Sequence, residues 1–275
     1  MKRLYKSVIL TVAVATAGLL TFAGCSPKGD GTQLKVGMEC AYAPFNWTQT
    51  DDSNGAVPIE GGGYAGGYDV EIAKRVAEGL GLELVIVKTE WGGLPPSVTS
   101  GKIDLIVAGM SATADRKQSI DFTDDYYTSD LVVVVQKDSP YAGAKGIDEF
   151  QGAKITGQLS TLHYDVIDQM AGVDKQTALD TFSTMIVAVQ SGKIDGYVSE
   201  RPGALSAVAS NPSLSFVEFE SGRGFDYSGE EVSIAIGLKQ DSPLKEEINK
   251  ILAGISAEER ARLMDEAVKN QPATE

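Results

Sequence analysis

Arg116 closes the segment Gly109-Met110-Ser111-Ala112-Thr113-Ala114-Asp115-Arg116, whose residue types suit a small carboxylate. A guanidinium fork makes two charge-assisted hydrogen bonds to a carboxylate at once, and the hydroxyls of Ser111 and Thr113 add donors beside it. The plainer account is that Thr113 caps a helix while Arg116 pairs on the surface with Asp115 or Asp121. Glu200, just before Arg201-Pro202, offers a carboxylate to an ammonium group, or else is an acid favoured by the dipole at a helix start. Together Arg116 and Glu200 describe a zwitterion receptor, one charge for each end of an α-amino acid. Ser160 and Thr161, at the predicted N-terminus of a helix, can supply backbone N–H groups to the carboxylate or simply cap that helix. Glu39, Tyr42, Phe45, Trp47 and Trp91 form an aromatic set with one acid. Aromatic residues more often fill a core, yet Tyr42 and Trp91 with Glu39 can clamp a flat or cationic side chain by stacking and a salt bridge. His163, at a helix start, suits packing or capping rather than catalysis.

Alternating strands and helices must position these groups, the pattern of an α/β fold with mainly parallel sheets. Strands are expected over 34–38, 82–87, 103–108, 131–135, 154–157, 194–198 and 232–238. Helices are expected over 69–80, 94–100, 162–170, 243–254 and 257–268. The first of these helices puts Val70, Ile72, Ala73, Val76, Ala77 and Leu80 on one face. The continuous apolar run at 131–135 reads as a fully buried strand, and the glycine-rich stretch 55–67 as a surface turn.

The pentapeptide Ser-Gly-Lys-Ile-Asp occurs twice, at 100–104 and 191–195. Each copy ends a helical stretch and opens a strand, and superposing them sets Gly109 opposite Glu200. Two similar α/β units would then present opposite charges to something held between them. The pattern restarts after 131–135, and glycines cluster over 222–229, so the chain is expected to cross twice between lobes. This gives a first lobe of 34–129 plus 231–275 and a second of 130–230, the two connectors forming a hinge.

The N-terminus reads as a processing signal over 1–24: Lys2, Arg3 and Lys6 precede an apolar run, and Phe22-Ala23-Gly24-Cys25 supplies small residues before a cysteine. The run is too short for a comfortable membrane span. Residues 25–33 read as a flexible tether. The whole chain carries a net charge of −14, and without 1–24 it has 21 basic against 38 acidic residues, or −17. So acidic a surface argues against nucleic acid and anionic lipid headgroups as partners. Cys25 and Cys40 are the only cysteines and His163 the only histidine, too few for a metal cage. Cys40 reads as a small packed thiol, and no cofactor is called for.

Several stretches carry a resemblance. Gly67-Tyr68-Asp69-Val70-Glu71-Ile72-Ala73-Lys74-Arg75-Val76-Ala77, the Gly109–Arg116 segment, Ile120-Asp121-Phe122-Thr123-Asp124-Asp125-Tyr126-Tyr127 and Tyr42-Ala43-Pro44-Phe45 resemble the motifs of the family 3 bacterial extracellular solute-binding proteins. Phe22–Cys25 resembles a bacterial lipobox, which implies lipidation of Cys25 and cleavage after Gly24. The resemblance implies a two-lobed, type II periplasmic-binding-protein fold and the substrate-binding lipoprotein of an amino-acid ABC importer, anchored on the extracytoplasmic face of the cell membrane. It further implies a monomer that catalyses nothing, partnered by a membrane permease. In that family the arginine matching Arg116 holds the ligand carboxylate with a hydroxyl matching Ser111. The carbonyl matching Gly109 and the acid matching Glu200 hold the ammonium, many relatives having aspartate at the latter place. Ser160-Thr161-Leu162 stands where relatives usually read Gly-Thr-Thr. In binders of basic amino acids an acid matches Glu39 and aromatics match Tyr42 and Trp91, pointing to arginine, lysine or histidine, with glutamine less favoured. A dehydratase of similar fold acting on prephenate-like acids, with Glu39 or Glu200 as general acid, and an amino-acid-sensing surface receptor are the alternatives.

Overall fold

The computed structural model describes residues 32–229 and 231–272. The expected signal segment, the expected lipidation site Cys25 and all but the end of the expected tether lie outside them. Two five-stranded sheets share one design. The first runs Glu83–Lys88, Gln33–Met38, Leu105–Ile106, Ser233–Leu238, Asp121–Thr128; the second runs Asp174–Lys175, Lys154–Thr156, Gly196–Glu200, Leu131–Gln136, Leu214–Val217. In each, the first three strands are parallel and the last two neighbours pair antiparallel. The chain passes from one sheet to the other between Thr128 and Leu131 and returns between Val217 and Ser233. Each crossing delivers a strand into the fourth place of the sheet it enters. Those two strands are the apolar runs, buried from Leu131 to Val135 and from Ser233 to Leu238. Among the described residues no helix is long and apolar enough to cross a membrane.

The repeated pentapeptide does the same work in both sheets. Gly101 (φ +75°) and Gly192 (φ +69°) take the left-handed conformation that ends the helices Leu94–Thr99 and Phe182–Gln190 at little steric cost. Lys102 and Lys193 then donate their amides to Ser97 and Ala188 carbonyls, each at 2.9 Å. The Asp104 carboxylate accepts the Lys35 amide and the Asp195 carboxylate the Lys154 amide, both at 2.8 Å. Asp104 and Asp195 return the bond from their own amides to the same two residues. Each aspartate therefore pins the third strand of its sheet to the second. Substituting either by alanine should lower stability by about 1 kcal/mol, since each removes one hydrogen bond to a charged acceptor. In urea unfolding the two variants should lose midpoint alike at unchanged slope; an effect in only one would end the equivalence.

Three departures from the expected elements have local causes. The strand expected over 103–108 shortens to Leu105–Ile106; the Val107 amide still bonds the Gly37 carbonyl, and the chain bends at Ala108 and Gly109. The helix expected over 162–170 is one α-turn, Leu162–Asp165, followed by 3-10 geometry over Val166–Gln169. Asp121–Thr128 is an edge strand whose exposed Asp124 and Asp125 mask its alternation. The glycine-rich stretch 55–67 contributes Val57–Pro58 and Tyr64–Gly66 to a small sheet with Ala41–Tyr42 and Asn46–Gln49.

Candidate functional site

The third strand of each sheet runs out toward the other lobe. Beyond Leu105–Ile106, Gly109 adopts φ +60°, and a Cβ there would stand 3.2 Å from the Tyr42 ring. Its peptide is fixed from behind by a buried relay. The Gly109 amide donates to Tyr126 Oη at 3.1 Å, and that hydroxyl donates to Asp69 Oδ1 at 2.7 Å. Asn46 Nδ2 holds Asp69 Oδ2, also at 2.7 Å. Burial pushes the Asp69 carboxyl up to about 6, against the hydrogen bonds from Tyr126 and Asn46.

Thr113 does cap the short helix Ala114–Lys117, accepting the Arg116 amide at 3.4 Å. The Arg116 side chain nevertheless turns into the cleft. Nη1 donates to the Ser111 carbonyl at 2.9 Å, and Nη2 crosses to the Ser160 carbonyl of the second lobe at 3.0 Å. The guanidinium lies 5.1 Å from the Trp91 ring centre. Burial lowers it to about 10, although Asp165 and Glu200 pull the other way. Its fork carries five donors, and these two carbonyls use two of them.

Glu200 ends the strand Gly196–Glu200 at the start of the helix Arg201–Ser210, with 3% of its surface exposed. Oε2 accepts the hydroxyl of Tyr42 from the first lobe. Oε1 lies 2.8 Å from His163 Nε2. Burial alone would raise this carboxyl, but the adjacent His163 and the Tyr42 hydroxyl outweigh it and hold Glu200 below the ordinary range. Tyr42 is stacked on Phe182 at 4.0 Å and 13°, and on Phe45 at 5.0 Å. Glu39 Oε2 accepts from Gln158 Nε2 at 3.3 Å, again across the cleft. Burial, helped by Glu90 and opposed by Gln158, pushes Glu39 up to about 7.

Tyr42, Trp91, Gly109, Ser111, Arg116 and Thr161 thus line one cavity, together with Gln158, Leu162 and His163. Its volume is about 10 Å³, room for roughly one water. Glu200 and Glu39 adjoin it through Tyr42, His163 and Gln158. Outside Arg116, between Trp91 and Leu162, the cleft opens to a space of about 710 Å³. Two contacts go beyond the sequence reading. Ser160, at φ +58°, turns its carbonyl to Arg116. Trp91 and Tyr42 stand at the cavity, but they stack on Arg116 and Phe182. Gln158, His163 and Phe182 belong to the site and were not assigned to it from sequence. The one available signal was polar: Gln158 and His163 flank the Ser160–Leu162 loop.

Among the described residues, Glu39 Oε1 and His163 Nε2 are the two buried side-chain polar atoms without a hydrogen-bond partner. The His163 contact with Glu200 is an ion-pair approach of 2.8 Å. Buried polar atoms are nearly always satisfied, and both exceptions fall at this cleft, one at each end.

The sequence model of the bacterial extracellular solute-binding proteins, family 3, matches residues 34–269. The chain is 32% identical to the probable histidine-binding protein of Campylobacter jejuni over 71% of each chain. It is 27% identical to the arginine-binding extracellular protein ArtP of Bacillus subtilis over 90% of this chain and 91% of that one. Its fold is similar to that of the amino acid ABC transporter substrate-binding protein AbpA of Streptococcus pneumoniae bound to L-arginine. There the TM-score is 0.74 at 26% identity, covering 87% of this chain and 95% of that one.

Proposed function

Because the chain belongs to the bacterial extracellular solute-binding proteins of family 3, we propose that it is the extracytoplasmic receptor of an amino-acid ABC importer and captures a free amino acid with a basic side chain. The carrying observation is the placement of opposite charges on one closed cleft, Arg116 from the first lobe and Glu200 from the second, each held by a group of the other lobe. Arg116 with Ser111 takes the carboxylate. The Gly109 carbonyl and Glu200 take the ammonium, which requires Tyr42 to leave Glu200. Glu39, whose Oε1 is unpaired, takes the cationic side chain. The cavity of about 10 Å³ cannot admit an amino acid, so the lobes must part to load it. Reclosure on the zwitterion supplies the differential affinity that shifts the population. The loaded form docks on a permease, and the protein performs no chemistry. In this reading residues 130–230 move as the second lobe, and a lipid on Cys25 holds a monomer at the membrane.

A thermal-shift screen of the twenty amino acids, with prephenate alongside, tests this. L-Arginine, L-lysine or L-histidine at 100 times its dissociation constant should add about 2.7 kcal/mol and raise Tm by several degrees. Stabilisation by none of the twenty, or consumption of prephenate, would overturn the reading.

A further inference from the structure

His163 is the only histidine of the chain, and its two ring nitrogens face fixed partners. Nδ1 lies 3.2 Å from Thr161 Oγ1, and the proton of that hydroxyl goes to the Gln158 carbonyl at 2.7 Å. Thr161 can then only accept from the ring, so Nδ1 carries a hydrogen. Nε2 lies 2.8 Å from Glu200 Oε1. A bare nitrogen and a bare carboxylate would set two lone pairs against each other at that distance, so one proton must sit between them. The pair is an imidazolium beside a carboxylate, and Phe182 stands edge-on to the ring at 5.6 Å and 84°. Yet Nε2 remains without a satisfying hydrogen-bond partner at the wall of the cavity.

The remaining charged and titratable groups facing this pair are few. Tyr42 reaches Glu200 from the first lobe. Arg116, Asp69 behind the Gly109 peptide, and Tyr127 interact with Glu200 from the first lobe. Asp165 lies on the same short helix as His163 and acts on Arg116, and Glu39 joins through Gln158 and Thr161. An α-ammonium arriving at Glu200 brings a second cation to a carboxylate that already holds one. In a water-poor cleft two such cations repel strongly. One of them must give way, and only the imidazole has a proton it can lose near neutral pH.

We propose that His163 is a ligand-binding residue of this site, exchanging its Nε2 proton for an N–H of the ligand's ammonium. The proton leaves to solvent, the neutral Nε2 becomes an acceptor, and the ammonium bridges Glu200, His163 and the Gly109 carbonyl with its three donors. Binding of any primary α-amino acid then releases about one proton per ligand wherever free His163 is charged, and an N-alkylated amino end loses one of the three bonds. This rests on the reading of the cleft as an amino-acid site.

The test uses the mature chain without a histidine tag, with L-arginine as probe. The single imidazole gives one unambiguous set of ring resonances. They should stand at the imidazolium position in the free protein and move to the neutral position on saturation, with the remaining proton on Nδ1. Below the titration of the pair, the logarithm of affinity should rise with pH with a slope that falls by about one in His163→Gln, whose amide can still contact Glu200. Saturable binding with the ring still charged, or an unchanged slope in His163→Gln, would overturn the exchange alone. Absence of binding by L-arginine and the other amino acids would overturn the amino-acid reading and the exchange with it.

Discussion

Arg116→Ala should lose at least about 100-fold in amino-acid affinity, roughly 3 kcal/mol, measured by calorimetric titration against the amino acid that stabilises the wild type best. Truncating one partner of a buried, hydrogen-bonded charge pair costs 2 to 5 kcal/mol or more, because the other charge is left desolvated and unpaired. In this cleft that other charge is the ligand carboxylate, and no second arginine or lysine lines the cavity: the lining is otherwise Tyr42, Trp91, glycine, hydroxyls, Gln158, Leu162 and His163, the last of which is held to Glu200. Arg116→Lys should recover only part of the loss, since an ammonium cannot reproduce the fork. The fold should tolerate the change. Arg116 is held at a depressed pKa of about 10 by its own burial, so its removal relieves a desolvated cation while giving up two bonds to carbonyls. A loss within twofold, in a variant with an unchanged unfolding midpoint, would show that the carboxylate lies elsewhere.

The alternation of elements was legible because each apolar run sits in a sheet place that demands it. Leu131–Gln136 and Ser233–Leu238 each occupy the fourth position, buried on both faces, and read as continuous hydrophobic stretches. The repeated pentapeptide was legible for a local reason: a left-handed glycine followed three residues later, past Lys-Ile, by an aspartate can both end a helix and pin a strand. Arg116 stood out by its spacing from Ser111 and Thr113. His163 did not, because nothing nearby in sequence tells an imidazole that Glu200, 37 positions on, will lie 2.8 Å away. Tyr42 and Glu200 are separated by 158 positions and meet only because the lobes close. Contacts made by closure leave no local pattern, since neither partner's own strand or helix depends on them. Asp69 belongs to the same class in part. Its carboxylate faces inward to Tyr126 and Asn46 and orients the Gly109 peptide, contacts that the Gly-Tyr-Asp stretch does not announce.

Glu39→Gln should move stability and binding in opposite directions, which no purely structural role would do. In the free protein, burial raises the Glu39 carboxyl from 4.5 to about 7. An acid raised on folding holds its proton better in the native state than in the unfolded one, so stability declines as pH climbs from about 4.5 to about 7 and then levels off. A neutral glutamine avoids that decline. At pH 8 the variant should unfold later, by on the order of 2 kcal/mol. A cationic ligand side chain reverses the balance, because it pairs with the ionised form. Affinity of the wild type for L-arginine should therefore fall below about pH 7, by up to tenfold per unit from this group, and Glu39→Gln should remove that component. At pH 8 the variant should bind L-arginine about 30-fold or more weakly, the cost of losing a charge-assisted partner in a desolvated site. L-Glutamine brings no cation to Glu39, so its affinity should change far less between the two proteins than that of L-arginine. If the variant gained stability and kept wild-type affinity for L-arginine and L-lysine at pH 8, Glu39 would be a strained bystander and the side-chain end of the ligand would lie against another wall.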